Sequence, residues 1–533
     1  MSVLIQDLRY ALRSLRRSPG YATVAVLTLA LGIGANATIF SLVNGVLFKP
    51  PVGVADPGHV VAIYTSDYSS GPYGNTSYPD FEAVRADRAA FSAVAVYTLQ
   101  RMALSVGDRS EVVVGQEVSG DYFGMLGTVS AAGRLLIPSD GREAGAEAVA
   151  VISHGAWLRR FGADPAIAGR DIRLGGRAFR VVGVAPPGFT GLLRGVVTDV
   201  WVPATMAPVL QPGSDDLTNI GSRSFFMAAR LRPGVSLAQA RARLAAVARA
   251  RHQQYPDRWE TVSGAPRQLT MLAEADTRVP PQARGLSLGA AAILLTAVGL
   301  VLLIACANLA NLVLARASRR RREVAVRASL GATRRQLAEH LLAESVLLTA
   351  LGAGVGLVLA AWITAAAGTI TVPGLPVAIS LDLGVDGRVL AFTAGVALLT
   401  AVAFGLVPAL RASRPDLVTE LRAEVGTSGR GRWLTLRNAL VVGQIAVSLV
   451  LLVAAGLFLH SLQRAGAADP GFDPSSTAVM SFDLESSGMA EAQGRAFYAA
   501  LLERVRALPG VRSATLAYSI PLTDCCSRRG TRI

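Results

Sequence analysis

Lysine is almost absent from this chain. Among 52 basic residues only Lys49 is a lysine, so the formal net charge of +15 is carried almost wholly by arginine. A phosphate-binding P-loop needs a lysine directly after its glycine-rich turn to reach the nucleotide. Lys49 sits in Leu47-Phe48-Lys49-Pro50, with no glycine loop before it. The chain is therefore not a P-loop ATPase by itself, and any ATP it uses must be hydrolysed by another chain. Cysteine is scarce too, limited to Cys306, Cys525 and Cys526. Cys306 falls in an apolar run and reads as a small buried apolar residue. Cys525 and Cys526 are adjacent, a spacing that disulfide geometry disfavours. No zinc-ligand spacing occurs, the 5 histidines form no cluster, and His-Glu-x-x-His is missing. With no nucleophile, base or metal constellation, the sequence points away from an enzyme and gives no expectation of a bound cofactor or metal.

Charge is thin overall, at 17% of residues against 51% hydrophobic, with a mean hydropathy of +0.42. That balance suits several membrane spans joined to a large water-facing part. Five apolar runs are long enough to cross a bilayer, which takes roughly 20 residues. They are 21–47, 285–315, 341–366, 389–410 and 438–462. Arginines orient them. Arg9, Arg13, Arg16 and Arg17 precede the first, Arg316 and Arg319 to Arg322 follow the second, and Arg411, Arg414, Arg422, Arg430, Arg432 and Arg437 follow the fourth. Basic flanks mark the cytoplasmic side. The expected layout is a cytoplasmic amino-terminal helix over 1–20, a large outer segment over 48–284, and a cytoplasmic element over 316–340. A short outer loop over 367–388, a cytoplasmic loop over 411–437 and a second outer segment over 463–533 complete it. The arginines fix topology in this reading, so nucleic acid is not expected as a partner. Leu4, Leu8, Leu12 and Leu15 share a helical face, which suits either a surface-lying helix or an ordinary stop-transfer flank. The long apolar run with no small-residue cleavage site argues against a cleavable signal peptide.

The outer segment 48–284 reads as α+β. Ile172–Leu174 and Arg177–Val184 flank Gly175-Gly176, a hairpin signal. Glu111–Val118 and Ala148–Ile152 read as strands, and Ser236–Arg251 as a helix with Ser236 and Gln239 closing a capping box. Asp56-Pro57-Gly58 before a strand-like Val60–Tyr64 is echoed by Asp469-Pro470-Gly471 before Val479–Leu484, each just after a span. A helix over Ala490–Leu508 and a strand over Val511–Ala517 complete the expected start of a second outer domain. Within the spans, Asn308 and Asn311, Asn36 and Asn44, and Gln444 and Ser448 read as interhelical hydrogen-bonding groups. Gly352 and Gly356 form a small-xxx-small packing face. Glu344 reads as an interfacial charge rather than a proton site. His154 is expected in a structural or surface role, and Asp80, Glu82, Asp215 and Asp216 show no acid/base pairing.

The cytoplasmic element is arginine-rich and apolar by turns: Glu323-Val324-Ala325-Val326-Arg327-Ala328-Ser329-Leu330-Gly331-Ala332-Thr333-Arg334-Arg335-Gln336. Gly331 suits a helix-closing left-handed position, and Thr333 with Gln336 a new capping box. Such an element either docks into a groove on a cytoplasmic partner or serves only to fix topology. Arg321 to Thr333, continued by Leu341-Leu342-Ala343-Glu344-Ser345, resembles the segment before the third span in MacB/FtsX-type ABC transporter permeases. Ile152-Ser153-His154-Gly155-Ala156-Trp157, with Val181-Val182-Gly183-Val184-Ala185-Pro186-Pro187-Gly188-Phe189, resembles that family's periplasmic core domain. Asp7-Leu8-Arg9-Tyr10-Ala11-Leu12-Arg13 with Leu31-Gly32-Ile33-Gly34-Ala35-Asn36 is similar to a duplicated subgroup with two outer domains and eight spans, and the expectation is that the second outer domain is only begun in this sequence.

The resemblance implies a multi-pass α-helical membrane protein of a bacterial inner membrane, with its amino terminus cytoplasmic and its large α+β domain periplasmic. It implies an efflux or mechanotransmission permease that binds no ATP itself and works with a separate ABC ATPase subunit. The ATPase-coupling residues carried over are Glu323, Val324, Val326, Arg327, Leu330, Gly331, Arg334, Arg335 and Gln336. A second copy of the chain, a periplasmic adaptor or an envelope enzyme fit as further partners. The alternative is an FtsX-like scaffold that regulates a cell-wall enzyme without moving cargo.

Overall fold

The computed structural model describes residues 12–13, 15–66, 71–106, 109–261, 263–319, 334–367, 369–371, 378–380, 382–412, 436–467, 476–480, 482 and 491–517. Its main helices, in chain order, are α1 (Pro19–Val43), α2 (Tyr78–Ala86), α3 (His154–Phe161), α4 (Leu237–Gln254), α5 (Arg284–Arg319), α6 (Arg334–Ala367), α7 (Gly387–Ala412), α8 (Leu436–Gly466) and α9 (Glu491–Arg506). Two compact units result. One comprises Met1–Val46, Gly285–Gly368 and Asp382–Asp469; the other comprises Leu47–Arg284, Thr369–Leu381 and Pro470–Ile533.

The first unit holds the apolar helices. Pro19–Phe48, Pro281–Leu312, Ala343–Ala367 and Asn438–Gly466 are each long and apolar enough to cross a membrane, and Gly387–Val402 is a shorter apolar stretch of the same kind. All five expected spans are therefore helices. The first differs from a plain helix at its end: α1 passes into a π-helical turn over Asn44–Phe48. Such turns are uncommon and cluster at functional places. Leu29 and Ile33 of α1, Cys306 and Leu309 of α5, and Leu348 of α6 form one buried cluster. By contrast α8 keeps Val442, Ile445, Leu449, Leu452 and Phe458 exposed.

The second unit is built on strands β1 (Val60–Thr65), β2 (Phe91–Val106), β3 (Arg109–Val118), β4 (Ala132–Gly133), β5 (Val149–Ile152), β6 (Asp171–Leu174), β7 (Arg177–Val184), β8 (Gly195–Val196), β9 (Val200–Pro203), β10 (Phe226–Leu231) and β11 (Leu269–Ala273). Ten of these form a mixed sheet in the order β11-β1-β10-β2-β3-β9-β5-β7-β4, with β6 pairing β2 and β7. The two-residue period of a strand divides its residues between two cores. Val61, Ile63, Val94, Val96, Met227 and Ala229 point into one, which also takes Phe81 and Val84 of α2 and Ala240 and Leu244 of α4. Val60, Ala95, Tyr97 and Ala228 point into the other, with Phe123, Phe189 and Trp201. A third core gathers around Phe179, Val181 and Ile152 beneath α3.

Local signals explain several elements. Gly175 and Gly176, at φ 55° and 75°, make the turn between β6 and β7; residues with side chains adopt two such angles in succession only at a cost. Ser236 accepts from the Gln239 amide at 3.2 Å while Gln239 Oε1 accepts from the Ser236 amide at 2.9 Å, closing the expected capping box of α4. Ser153 caps α3 through the Ala156 amide.

Two expectations need correction. The connection 367–388 is not merely a loop: β12 (Thr369–Thr371) pairs with β13 (Ala378–Ser380), and β13 pairs in turn with β8. The echo of the first outer domain does not extend to strands. Val479, Met480 and Phe482, and likewise Val511–Ala517, carry no strand assignment, although α9 forms where a helix was expected. Alternating apolar residues make a strand only where another strand supplies hydrogen-bond partners, and the described residues there offer none. Of the amino-terminal face, Leu4 and Leu8 lie outside the described residues; Leu12 is exposed and Leu15 buried.

Candidate functional site in the membrane bundle

The residues expected to couple to an ATPase are mostly beyond view. Glu323, Val324, Val326, Arg327, Leu330 and Gly331 lie outside the described residues, as do the Gly331 helix closure and the Thr333 cap. Arg334, Arg335 and Gln336 open α6, with their side chains outside the described set. What the structure does describe is how the helix they lead into grips its neighbours.

The small residues of α6 face α1. A Cβ placed on Gly352 would fall 2.6 Å from Leu29 Cβ, and one on Gly356 would fall 2.9 Å from the Ala30 carbonyl oxygen and 3.0 Å from the Gly34 nitrogen. The approach is reciprocal, since a Cβ on Gly34 would lie 3.0 Å from the Gly356 oxygen. Glycine on both helices is thus what lets their backbones touch. In lipid, where no hydrophobic force drives helices together, this kind of contact holds a bundle.

Polar side chains then fix register. Asn36 Nδ2 donates to Gly32 O at 2.9 Å within its own helix and to Val298 O of α5 at 2.8 Å. Asn44 Nδ2, in the π turn, donates to Asp386 Oδ2 at 2.8 Å. The other oxygen of Asp386 accepts the Arg388 and Val389 amides at 3.0 and 2.9 Å, so the same carboxylate caps the start of α7. Phe40 of α1 stacks on Phe392 of α7 at 4.0 Å between ring centroids. Both asparagines therefore bond between helices, as their sequence positions suggested. Sequence could not supply the partners, because a lone asparagine in a span signals only that one exists.

The remaining expected residues fall less neatly. Asn308 is half-buried, and Asn311 Oδ1 is buried without a hydrogen-bond partner among the described residues. Gln444 is half-buried and Ser448 exposed on α8, while Glu344 is half-buried on α6. In the outer domain His154 packs edge-on against Trp157 at the start of α3. Asp80 is structural: Arg251 Nε and Trp259 Nε1 donate to its Oδ1 at 2.9 and 3.1 Å, with Arg223 4.0 Å away. Asp215 accepts from Asn219, and Asp216 from Ser222.

Sequence reasoning missed Glu117, which sits on β3 with 1% exposure. Burial pushes its carboxyl up to about 8, opposed by a hydrogen bond from Gln211 and reinforced by Asp216. Its flanking residues Val114 to Val118 read simply as a strand, so no local signal marks it. Among the described residues no group of three or more histidine, cysteine, aspartate and glutamate side chains is placed to hold a metal.

Known proteins share both parts. Residues 22–247 match the family described as MacB-like periplasmic core domain, and residues 295–417 match FtsX-like permease C-terminal. A Bacillus subtilis (strain 168) protein described as an uncharacterized ABC transporter permease, YknZ, is 36% identical over 126 residues. That match covers 24% of this chain and 30% of the relative, so the chain spans less than a third of the relative's length. Among solved structures, the periplasmic region of MacB from Actinobacillus actinomycetemcomitans is 16% identical, over 42% of this chain and 91% of that one, with a TM-score of 0.31. The extracellular domain of a noncanonic ABC-type transporter YknZ from Gram-positive bacteria is 14% identical, over 40% and 99%, with a TM-score of 0.29.

Proposed function

Since this chain belongs to the MacB/FtsX-like ABC transporter permeases, we propose that it is a membrane subunit through which a separate ATPase moves an extracytoplasmic domain. The observation that carries this reading is one of architecture. A sheet-built domain, Leu47–Arg284, is inserted in the chain directly between the first two spans, and the first span is locked backbone to backbone to the third. The third span is also the helix opened by Arg334, Arg335 and Gln336. A force applied at that arginine-rich end acts on α6 and, through the Gly34–Gly356 contact, on α1, whose chain continues into the outer domain. Packed helices of this kind shift as rigid bodies rather than deform.

In this reading the chain lies in a bacterial inner membrane with its arginine-flanked ends cytoplasmic, as basic flanks favour. It supplies no nucleotide site of its own, and its single lysine supports that assignment. The coupling surface is Glu323 to Gln336.

The experiment is a pull-down of the full chain from native membranes in mild detergent, with mass spectrometry of what accompanies it. An ABC ATPase is expected, and it is expected to be lost when Arg327 and Arg334 are both changed to glutamate while the spans stay folded. Recovery of the same ATPase with the charge-reversed chain would sink the coupling assignment. Recovery of an envelope hydrolase with no ATPase would favour a scaffold instead.

A further inference from the structure

Where the outer domain takes up the chain from α1, a buried carboxylate holds two arginines. Glu274 is 6% exposed and lies in a short 3-10 turn, Glu274–Asp276, just before the second span. Arg278 grips it through one edge of its guanidinium: Nε lies 3.1 and 3.2 Å from the two oxygens, and Nη2 lies 2.8 Å from Oε2. Arg194 Nη2 adds a longer contact of 3.4 Å to Oε1. Each arginine also donates to main chain just beyond α1: Arg278 Nη1 to the Phe48 carbonyl and Arg194 Nη2 to the Lys49 carbonyl. One carboxylate therefore orients two guanidinium groups that hold successive carbonyls.

Three chain segments meet there. Phe48-Lys49 continues from α1. Glu274 to Arg278 leads into α5 through Pro280 and Pro281, and Asp276 pairs with Arg284, the first residue of α5, at 2.8 Å. Arg194 immediately precedes β8, which pairs with β13 in the connection between α6 and α7. Burial lowers the Arg194 pKa, chiefly by desolvation, with the Glu274 charge acting the other way. Two arginines this close are held in place by the carboxylate between them.

We propose that Glu274 is a positioning residue: with Arg278 and Arg194 it forms the joint that makes the outer domain follow the chain leaving the first span, the chain entering the second and the connection between the third and fourth. The proposal deepens the permease reading and rests on it for its ATP-driven part only. The bidentate geometry matters because a point charge would leave the guanidinium planes free to turn away from the carbonyls.

The test is hydrogen–deuterium exchange on the full chain in detergent, with whatever ATPase co-purifies. For Glu274→Gln, the amides of Lys49 and Val52 and those at 195–198 are expected to exchange at least tenfold faster, with those of β1, β10 and the middle of β2 unchanged. ATP hydrolysis continues, but ATP no longer alters exchange in the outer domain. The charge swap Glu274→Arg with Arg278→Glu restores an ion pair but cannot donate to the Phe48 carbonyl, so the joint stays loose. Arg278→Lys keeps a donor and restores part of the protection. Unchanged exchange in Glu274→Gln overturns the proposal, as does full rescue by the charge swap or joint opening of the β1–β10–β2 core, because each marks an ordinary stabilising ion pair. If no ATPase accompanies the wild-type chain, the permease reading fails on its own, and the joint is judged on the ATP-independent exchange.

Discussion

Gly34 and Gly356 face each other so closely that a methyl group on either would lie within 3.0 Å of the other's backbone. Neither helix can give way without moving its whole backbone, so Gly356→Leu is expected to destabilise the bundle by about 1–3 kcal/mol through overpacking. Gly299→Leu on α5, where no atom lies within 4 Å of an added Cβ, is the matched control and should change little. Thermal unfolding of both variants in the same detergent checks this; equal midpoints would mean the two helices do not pack through glycine.

Asp386 serves two elements at once. Asp386→Ala removes the cap of α7, worth roughly 0.5–2 kcal/mol, and also strands Asn44 Nδ2. Asp386→Asn keeps an oxygen for the cap. The alanine variant should therefore be the less stable of the two, and Asn44→Leu should cost less when combined with Asp386→Ala than in wild type. Unfolding midpoints of wild type, the two single variants and their combination form a double-mutant cycle, and strict additivity would rule out the contact.

Glu117 gives the outer domain a pH dependence of unusual sign. Its folded pKa of about 8 lies above the ordinary carboxyl value of 4.5, so the folded state holds a proton that the unfolded state has released. The contribution is fully present below about 4.5 and is lost as pH rises towards 8, at a slope of up to about 1.4 kcal/mol per pH unit. Glu117→Gln should remove that slope and leave the domain more stable than wild type at pH 8. Chemical unfolding followed by tryptophan fluorescence across pH 5 to 8 reads it; parallel curves for the two chains would show that Glu117 is already ionised in the fold.

Asp80 is the counter-charge of a buried pair, with Arg251 also lying over the Tyr255 ring at 4.7 Å. Asp80→Ala leaves that arginine buried without its carboxylate and takes the acceptor from Trp259. A loss of about 3–5 kcal/mol is expected, with a shift in tryptophan emission as Trp259 becomes wet. A loss below about 1 kcal/mol would mean the site repacks or admits water.

The spans were legible because bilayer thickness sets a length that little else in a sequence imitates, and the β6–β7 turn and the α4 cap because Gly175-Gly176 and Ser236/Gln239 act through their immediate neighbours. Gly352 and Gly356 could be seen as a packing face, but not that Gly34 answers them, since contacts distant in sequence leave no local trace. The β8–β13 pairing was hidden for the same reason: strands of two and three residues carry no period. The reverse error came at Val479 and Val511–Ala517, where a strand-like pattern lacks a described partner. Glu274 escaped notice because its role depends on Arg194, 80 residues earlier in the chain.

In the large sheet, β1 lies between β10 and β11. The domain's first strand thus waits for its last two, and nearly the whole segment must be made before either neighbour of β1 exists. Pairings of such long reach are slow to form, and a strand with both edges open invites the wrong partner. By the time residue 273 emerges, the second span is close behind, so folding outside the membrane and insertion into it fall in the same short interval. A fault in β10 or β11 should then show first as misfolded chain during biogenesis, before any loss of activity in the finished protein.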